Sequence, residues 1–360
     1  MNSILFVSQK WTHNFNTGIN RYENELFKEV SDSEAFLVKR FLKEKPTKSA
    51  RVFNYFFGYL KTTSAIFKKY KIIHVASPMF IGKIDAKNKL VTTIHDLCPL
   101  ITPQAYPTYQ PFVFRKNIKN LIDMGSYFIV NSECTKRDLL KFFKIDSARV
   151  FITPLGVSDN FCIQDVAEIV QVKEVYGLPD SYFLFTGAMN KRKNLTSVIQ
   201  AYIQFKKRDK THTKLVLAGR MNWGGSLVQD QVEKEGLEED IVLPGYIEDK
   251  HMPALIAGAQ ASLYMSLYEG FGFPALEAMK VGTPVIASNV SSIPEVVGNA
   301  GVLLDPLDIK GIAEAMDRLV SDVNYRNDLV IKGKEQAKKF TWKQTSQKTL
   351  AVYQQLLKNH

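Results

Sequence analysis

Short apolar runs alternate with longer amphipathic stretches through the first 160 residues of this 360-residue chain. The apolar runs predict strands at 4–7, 36–38, 72–75, 90–94, 127–130 and 150–152. The amphipathic stretches predict helices at about 20–30, 52–70, 111–124 and 134–143. Because apolar strands must be covered on both faces, this alternation is typical of a parallel sheet between two layers of helices.

The same rhythm restarts after Pro154, Gly156 and an irregular stretch that extends to about residue 165. Strands are predicted at 182–186, 214–218, 241–243, 261–265, 284–287 and 301–304, and helices at 194–205, 225–235, 251–257, 274–281 and 309–322. We therefore predict two domains, 1–160 and 165–340. The last helix, 343–360, could cap either domain, with the first preferred. The predicted fold class is α/β, with two Rossmann-like, doubly wound domains that bind ligands in the crevice at the carboxyl ends of their strands.

The composition is that of a soluble globular protein, with 45% hydrophobic and 23% charged residues. No run approaches the roughly 20 apolar residues that cross a bilayer, and the short apolar start lacks the basic region of a signal peptide. Cys98, Cys134 and Cys162 are odd in number and widely spaced, which indicates neither a disulfide framework nor a zinc site and favours the cytoplasm. The net charge of +11 fits plain solubility or an anionic partner; nucleic acid is the least favoured, because no nucleic-acid module is recognisable.

The loop after the fourth strand of the second half carries the most informative residues. Gly270 and Gly272 allow the backbone to turn sharply and approach a ligand, and Pro274 suits the first turn of a helix. The amides at a helix N-terminus attract an anion. Glu269 before the helix and Glu277 inside it would repel that anion, so they make sense as acceptors of hydrogen bonds from sugar hydroxyls. The alternative is a capped helix with two solvated glutamates.

A second loop follows the predicted strand that ends at Thr186. Gly187 opens this loop, and three consecutive cations at 191–193 precede a helix that Asn194 could cap. Arginine supplies a planar fork of donors and lysine a point charge, which together suit a diphosphate. A solvated charge run is the alternative, but the position at the carboxyl end of a strand favours a ligand site.

Together, these segments resemble the retaining glycosyltransferases of family 4, which have the GT-B fold. Glu269 and Glu277 match the family's E-x7-E signature, and Arg192-Lys193-Asn194 matches its RKN signature. Further matches, in family order, are GINRY at 18–22, HDL at 95–97, NSE at 131–133, LAG at 217–219 and SSIPE at 291–295. The resemblance covers nearly the whole chain, and it implies an enzyme that uses a nucleotide-sugar donor.

The resemblance also implies a role for each matching residue. Arg192 and Lys193 would hold the donor diphosphate and neutralise the charge that gathers on it as the bond to the sugar breaks. Glu277 would accept hydrogen bonds from the ribose, and Glu269 would hold hydroxyls of the transferred sugar. His95 would project from the first domain toward that sugar, unless it is an ordinary core histidine. The expected catalytic residues are His95, Glu269, Arg192 and Lys193.

Glycine-rich backbone is expected to contact the donor as well. Gly18 would let the first loop approach the donor phosphate or the acceptor. Main-chain amides at 271–273 would assist Glu269. The expected donor-binding residues are Gly18, Gly187, Arg192, Lys193, Glu269, Gly270, Phe271, Gly272, Phe273 and Glu277.

The absence of a DxD-type motif in the right setting predicts metal-independent transfer, with no cofactor besides the nucleotide-sugar co-substrate. Many relatives carry arginine where Ala188 stands, which leaves Arg192 to act beside Lys193. The resemblance implies retention of anomeric configuration, and the lack of an obvious nucleophile favours front-face attack over double displacement. GDP-mannose is the first donor expected and UDP-glucose the second; the acceptor would be a glycan or a lipid-linked saccharide.

The first domain is expected to bind the acceptor. Its stretch at 51–71 mixes aromatic residues with lysines and could lie on an anionic membrane, helped by Lys10 and Trp11. A core helix with a basic outer face explains the same pattern equally well. The expected location is the cytoplasm, at the inner face of the cell membrane if the membrane interpretation holds.

Two other functions stay open at this point. A nucleotide-sugar epimerase can share the GT-B fold, but such enzymes lack the loop seen around Glu269. A non-catalytic relative of the family is the second, and the full set of acidic and cationic residues argues against it.

Overall fold

The computed structural model describes residues 2–9, 18–33, 35–43, 67–78, 88–220 and 226–358. The chain divides into two compact units, of which the first comprises Met1–Gly156 and Thr341–His360 and the second Val157–Phe340. Lys10, Trp11 and most of the predicted helix at 52–70 lie outside the described residues. Within the described part of the chain, no helix is long and apolar enough to span a membrane.

The described part of the first unit contains a sheet of six parallel strands. Its strands are β1 (Asn2–Gln9), β2 (Phe36–Lys43), β3 (Ile72–Val75), β4 (Lys89–Ile94), β5 (Tyr127–Val130) and β6 (Val150–Ile152). Their order across the sheet is β2-β1-β3-β4-β5-β6. The described helices between them are α1 (Gly18–Ser31), α2 (Cys98–Ile101), α3 (Tyr109–Asp123) and α4 (Glu133–Phe142).

The second unit repeats this plan with a second six-stranded parallel sheet. Its strands are β7 (Tyr182–Thr186), β8 (Lys214–Ala218), β9 (Ile241–Gly245), β10 (Ala261–Tyr264), β11 (Val285–Ser288) and β12 (Val302–Leu304), in the order β12-β11-β10-β7-β8-β9. Its described helices are α5 (Val166–Tyr176), α6 (Leu195–Lys206), α7 (Ser226–Lys234), α8 (Met252–Ala257), α9 (Phe273–Val281), α10 (Ile293–Val297), α11 (Ile309–Ser321) and α12 (Val323–Ala337). The last helix, α13 (Trp342–Lys358), belongs to the first unit.

Successive residues of a strand point to opposite faces of the sheet. Both faces of the first sheet are buried, because helices pack on each of them. One face packs with α3 and α4 through Leu5, Ile73, Leu90, Phe128, Ile118, Leu121 and Leu139. The other packs with α13 through Ile4, Ile72, Val91, Ile129, Val352, Tyr353 and Leu356. The C-terminal helix therefore covers part of one face of the first sheet.

Sequence patterning missed the helices α2, α5, α10 and α12. In α5, the apolar residues Val166, Val170 and Val175 are exposed, so they form no buried stripe that would reveal a helix. In α12, the buried positions are few, and the N-cap is Asp322, whose carboxylate accepts from the amide of Tyr325 at 2.9 Å. Asp322 was predicted to end the preceding helix, and it lies between the two helices instead.

Candidate functional site

The loops that follow β7 and β10 lie side by side, because these strands are neighbours in the second sheet. The first loop contains a single helical turn at Lys191–Lys193. The amide of Leu267 in the second loop donates to the carbonyl of Arg192 at 2.9 Å. The two segments singled out in the sequence thus meet at the carboxyl edge of one sheet, where ligands of such sheets bind.

Glu269 binds two of the three cations of the first loop through one carboxylate oxygen. Its Oε1 lies 2.5 Å from Arg192 Nη1 and 2.7 Å from Lys193 Nζ. Arg192 Nη1 also donates to the carbonyl of Tyr268 at 2.6 Å. Lys193 and Glu269 are buried, with 7% and 8% of their surface exposed. We call these three side chains, Arg192, Lys193 and Glu269, the Glu269 cluster.

The Glu269 cluster holds two positive charges against one negative charge. Burial alone would raise the pKa of Glu269, but the charges of Lys193 and Arg192, with their hydrogen bonds, lower it to about 2. The carboxylate is therefore ionised at neutral pH. Two cations in a place of low solvent access suit an anion such as a diphosphate.

Two serines hold the loop that carries Glu269. The amide of Glu269 donates to Ser291 Oγ at 3.0 Å, and Ser292 Oγ donates to the carbonyls of Glu269 at 2.8 Å and Phe271 at 3.0 Å. Ser292 is fully buried. Both serines belong to the SSIPE segment. From the sequence, this segment matches the family but has no assigned physical role. Their role in fixing the loop was missed, since only the fold brings them close to Glu269.

The N-terminus of α9 lies directly after this loop. Gly272 has φ of +124°, a backbone conformation that favours glycine, and no side chain caps the helix. Phe271 and Glu277 are buried, at 5% exposure each, while Phe273 begins the helix. The predicted donor-binding residues 270–273 and Glu277 thus share one helix start.

Two glycines with positive φ lie in the loops that follow β7 and β8. Gly187 has φ of +131°, and a Cβ there would lie 3.9 Å from Lys193 Cε. Gly219, after β8, has φ of +145°, and a Cβ on it would overlap the carbonyl oxygen of Gly187. The amide of Gly187 donates to the carbonyl of Ala218 at 3.0 Å. Close backbone approach therefore requires glycine at position 219, whereas the positive φ favours glycine at position 187.

Asn194 does not cap α6 in the predicted way. It has a left-handed backbone with φ of 56°, and its side chain makes no capping hydrogen bond. Instead, Asn194 Nδ2 donates to the carbonyls of Met265 at 3.2 Å and Pro306 at 2.7 Å. The prediction of a cap was wrong, because the side-chain amide links the end of β10 to the segment before α11.

His95 and Gly18 belong to the first unit. Gly18 is the exposed first residue of α1. His95 directly follows β4 and is half-buried, with Nε2 2.9 Å from the carbonyl oxygen of Ala76 and its ring edge-on to Tyr22 at 4.7 Å. Burial lowers the pKa of His95 below its usual value, which favours the neutral ring at pH 7.

A buried chain of hydrogen bonds lies behind His95. His74 Nδ1 lies 2.5 Å from Tyr353 Oη, and His74 Nε2 lies 2.8 Å from Thr93 Oγ1, which is 2.6 Å from Tyr22 Oη. Burial lowers the pKa of His74 to about 3. This chain could not be predicted from the sequence, because His74 belongs to an ordinary apolar strand and Tyr353 lies 279 positions away.

The described residues contain no group of three or more His, Cys, Asp or Glu side chains that could hold a metal ion. Of the three cysteines, Cys98 and Cys134 are buried and Cys162 is exposed, and all are free thiols.

Comparison with known families covers most of the chain. Residues 170–336 match the family described as Glycosyl transferases group 1, and residues 21–161 match Glycosyltransferase Family 4. The chain belongs to glycosyltransferase family 4. This membership confirms the family and the glycosyltransferase activity predicted from the sequence, and the family uses nucleotide-sugar donors.

Individual relatives agree with this assignment. The O-antigen chain mannosyltransferase B of Escherichia coli is 28% identical over 368 residues, which cover 94% of this chain and 96% of that protein. Sucrose-phosphate synthase from Thermosynechococcus elongatus matches 100% of both chains, with a TM-score of 0.80 and 19% identity. HepE from Anabaena in complex with UDP-glucose covers 99% of this chain and 100% of that one, with a TM-score of 0.74 and 15% identity. These two structures show the fold alone, and they confirm the predicted GT-B class.

Proposed function

We propose that this glycosyltransferase moves a mannosyl unit from GDP-mannose to a growing polysaccharide or lipid-linked saccharide, with retention of anomeric configuration. The observation that carries this proposal is the Glu269 cluster at the carboxyl edge of the second sheet. The choice of sugar and acceptor is supported by the likeness over nearly full length to an O-antigen chain mannosyltransferase.

In this proposal the second unit binds the donor. Arg192 and Lys193 exchange some of their hydrogen bonds to Glu269 for hydrogen bonds to the diphosphate. They stabilise the negative charge that grows on the diphosphate as the glycosidic bond breaks. Glu269, released in part from its cations, accepts hydrogen bonds from hydroxyls of the mannosyl unit. Glu277 accepts from the ribose, and the amides at 271–273 face the donor at the start of α9.

The first unit binds the acceptor and contributes His95. The carbonyl of Ala76 can only accept a hydrogen bond, so a neutral His95 carries its proton on Nε2. Nδ1 is then an acceptor, which suits a hydroxyl of the sugar rather than a phosphate oxygen. Gly18, at the start of α1, lets the backbone approach the donor phosphate or the acceptor.

Transfer follows front-face attack and is independent of metal. The departing diphosphate takes the proton of the acceptor hydroxyl, while the cations of the Glu269 cluster replace a divalent ion as its counter-charge. Activity after removal of divalent metal with EDTA should equal that of untreated enzyme. Loss of activity with EDTA and its recovery with magnesium would contradict this part, and a trapped covalent sugar–enzyme adduct would contradict front-face attack.

Contact with an anionic membrane belongs to the same proposal. Its support is the net charge of +11 and the aromatic and lysine-rich stretch at 51–71, most of which lies outside the described residues. The protein should float with liposomes that contain anionic lipid and stay behind with neutral ones. Equal behaviour with both liposomes would remove the membrane from the proposal.

A thermal-shift panel of nucleotide sugars tests the donor. A ligand that binds the folded state raises the apparent melting temperature according to its concentration over its dissociation constant. GDP-mannose should give the largest shift, and Lys193→Ala should abolish it. Lys338→Ala is the matched control, because Lys338 is an exposed lysine of the same unit that pairs with Glu335. A larger shift with UDP-glucose would contradict GDP-mannose as the donor. An unchanged shift in Lys193→Ala would contradict the proposed donor site.

A further inference from the structure

Tyr264 is the last residue of β10 and contacts both loops of the site. It is 2% exposed, and a Cβ on Gly272 at the start of α9 would lie 3.7 Å from Tyr264 Cε1. The ammonium of Lys193 lies 4.6 Å from the centroid of the tyrosine ring, and Lys193 Nζ donates to Tyr264 Oη at 3.3 Å. The ring thus lies between the cationic loop and the loop that carries Glu269.

The hydroxyl of Tyr264 has a role besides packing. Phenylalanine would occupy the same volume without burying a polar group, and a buried hydroxyl costs free energy unless it is hydrogen-bonded. Here, burial and then the negative charge of Glu269 raise the pKa of Tyr264 well above its usual value, so the phenol keeps its proton. A protonated phenol accepts from an ammonium and can still donate to a carboxylate or phosphate oxygen. These properties suit the ion cluster.

Lys193 makes two kinds of contact in the site. Its bond to Glu269 Oε1, at 2.7 Å, is ionic, and an entering diphosphate competes for it. Its contacts to the ring and hydroxyl of Tyr264 are to a neutral group, so they need not break when the ionic partner changes. Such contacts would keep a long, flexible side chain near one position in both states.

We propose that Tyr264 is a positioning residue, which holds the Lys193 ammonium in place while its ionic partner changes from Glu269 to the donor diphosphate. The proposal rests on the proposed function, since it takes Lys193 to bind that diphosphate.

Two substitutions separate the ring from the hydroxyl. Tyr264→Phe keeps the ring and should lower kcat for GDP-mannose turnover roughly 10-fold, the size of one lost hydrogen bond to a charged group. KM should change less than kcat, because the charge on the diphosphate grows as the bond breaks. Tyr264→Leu loses both contacts and should lower kcat further, by about 100-fold. Tyr202→Phe is the matched control, since it loses a buried hydrogen bond to the carbonyl of Thr213, 3.0 Å long, away from the Glu269 cluster.

A double-mutant cycle with Lys193→Ala tests whether Tyr264 acts through the lysine. If it does, the variant that combines Lys193→Ala and Tyr264→Phe is no slower than Lys193→Ala alone. If the two losses multiply, Tyr264 acts independently, and the inference is overturned. Wild-type kcat in both Tyr264→Phe and Tyr264→Leu would overturn it as well.

The same measurements separate this inference from the proposed function. An impaired Lys193→Ala beside fully active Tyr264→Phe and Tyr264→Leu refutes the inference and leaves the proposed function intact. If Lys193→Ala keeps full turnover and full affinity for GDP by calorimetry, the proposed role of Lys193 fails, and that of Tyr264 fails with it. If the wild type prefers another nucleotide sugar in the thermal-shift panel, the cycle is run with that donor, and its outcomes have the same meaning.

Discussion

At the scale of single residues, the environment of Glu269 combines burial with two ion pairs. Its carboxylate is buried between two cations that belong to a different loop, and it is held there through its own backbone by Ser291 and Ser292. Removal of one member of a buried ion cluster leaves the others without a counter-charge, which is costly. The residue therefore contributes to stability as well as to the proposed chemistry.

The stability that Glu269 supplies should depend on pH. Its pKa is lower in the folded chain, about 2, than its ordinary value of 4.5, so its contribution is full above the ordinary value and is lost as pH falls toward 2. Glu269→Gln should be less stable than wild type at pH 7, by about 3 kcal/mol. That difference should narrow as pH falls below about 4.5, which urea unfolding of both proteins at pH 7, 5, 4 and 3.5 would measure.

Glu335→Gln provides the comparison for this series. Glu335 is exposed and pairs with Lys338, and an exposed pair contributes little. The free energy of unfolding of Glu335→Gln should differ little from that of wild type at every pH. A constant difference between Glu269→Gln and wild type over the whole series would show that Glu269 is not held ionised by its two cations.

At the scale of elements, the carboxyl ends of β7 and β8 lie closer together than side chains allow. Gly187 and Gly219 face each other through their backbones, and both have positive φ. This approach determines the course of the loop that leads to Arg192 and Lys193. Two glycines outside the E-x7-E and RKN signatures thus constrain the loop that carries Arg192 and Lys193.

Gly219→Ala should therefore damage both the fold and the donor site. Its Cβ would overlap the Gly187 carbonyl, in addition to the strain of a positive φ, so a loss of about 3 kcal/mol is expected. Gly236→Ala is the control: Gly236 has φ of +64° but nothing within 4 Å of its Cβ, and about 1 kcal/mol is expected. Urea unfolding measures both. A similar loss in the two variants would mean that the loop shifts without cost, and donor-induced stabilisation would then also survive in Gly219→Ala.

At the scale of the whole molecule, the chain leaves the second unit at Phe340 and ends in the first. The returning helix α13 buries Val352, Tyr353 and Leu356 against one face of the first sheet. Tyr353 also anchors the buried chain of hydrogen bonds through His74 that ends beside His95. The integrity of the first unit therefore depends on the last residues of the chain.

Leu356→Ala should weaken the first unit selectively. A buried leucine replaced by alanine costs about 2–5 kcal/mol, and Leu356 is 2% exposed. Amide hydrogen exchange should speed up in β3, β4 and β5 while the strands of the second unit stay protected. Gln355→Ala, at an exposed position of the same helix, should leave exchange unchanged. Equal acceleration in both units would show that they unfold as one cooperative body.

Local pattern was enough to determine most of the elements and the chemistry of the two loops. The pattern of apolar residues predicted β3, β5, β6, β7 and β8 at their observed bounds, since a buried strand consists of consecutive apolar residues. The glycines, the paired glutamates and the cations after strand ends were visible in the same way. Helices without a buried stripe, such as α5, were invisible to that pattern.

Tertiary structure alone decided which charged groups meet. Lys193 and Glu269 are 76 positions apart, and they meet because β10 enters the sheet beside β7 although two other strands lie between them in sequence. The same crossover brings Tyr264 to the lysine. Sequence pattern reports which residues a segment buries, whereas strand order depends on how whole segments pack, and that is a property of the complete chain.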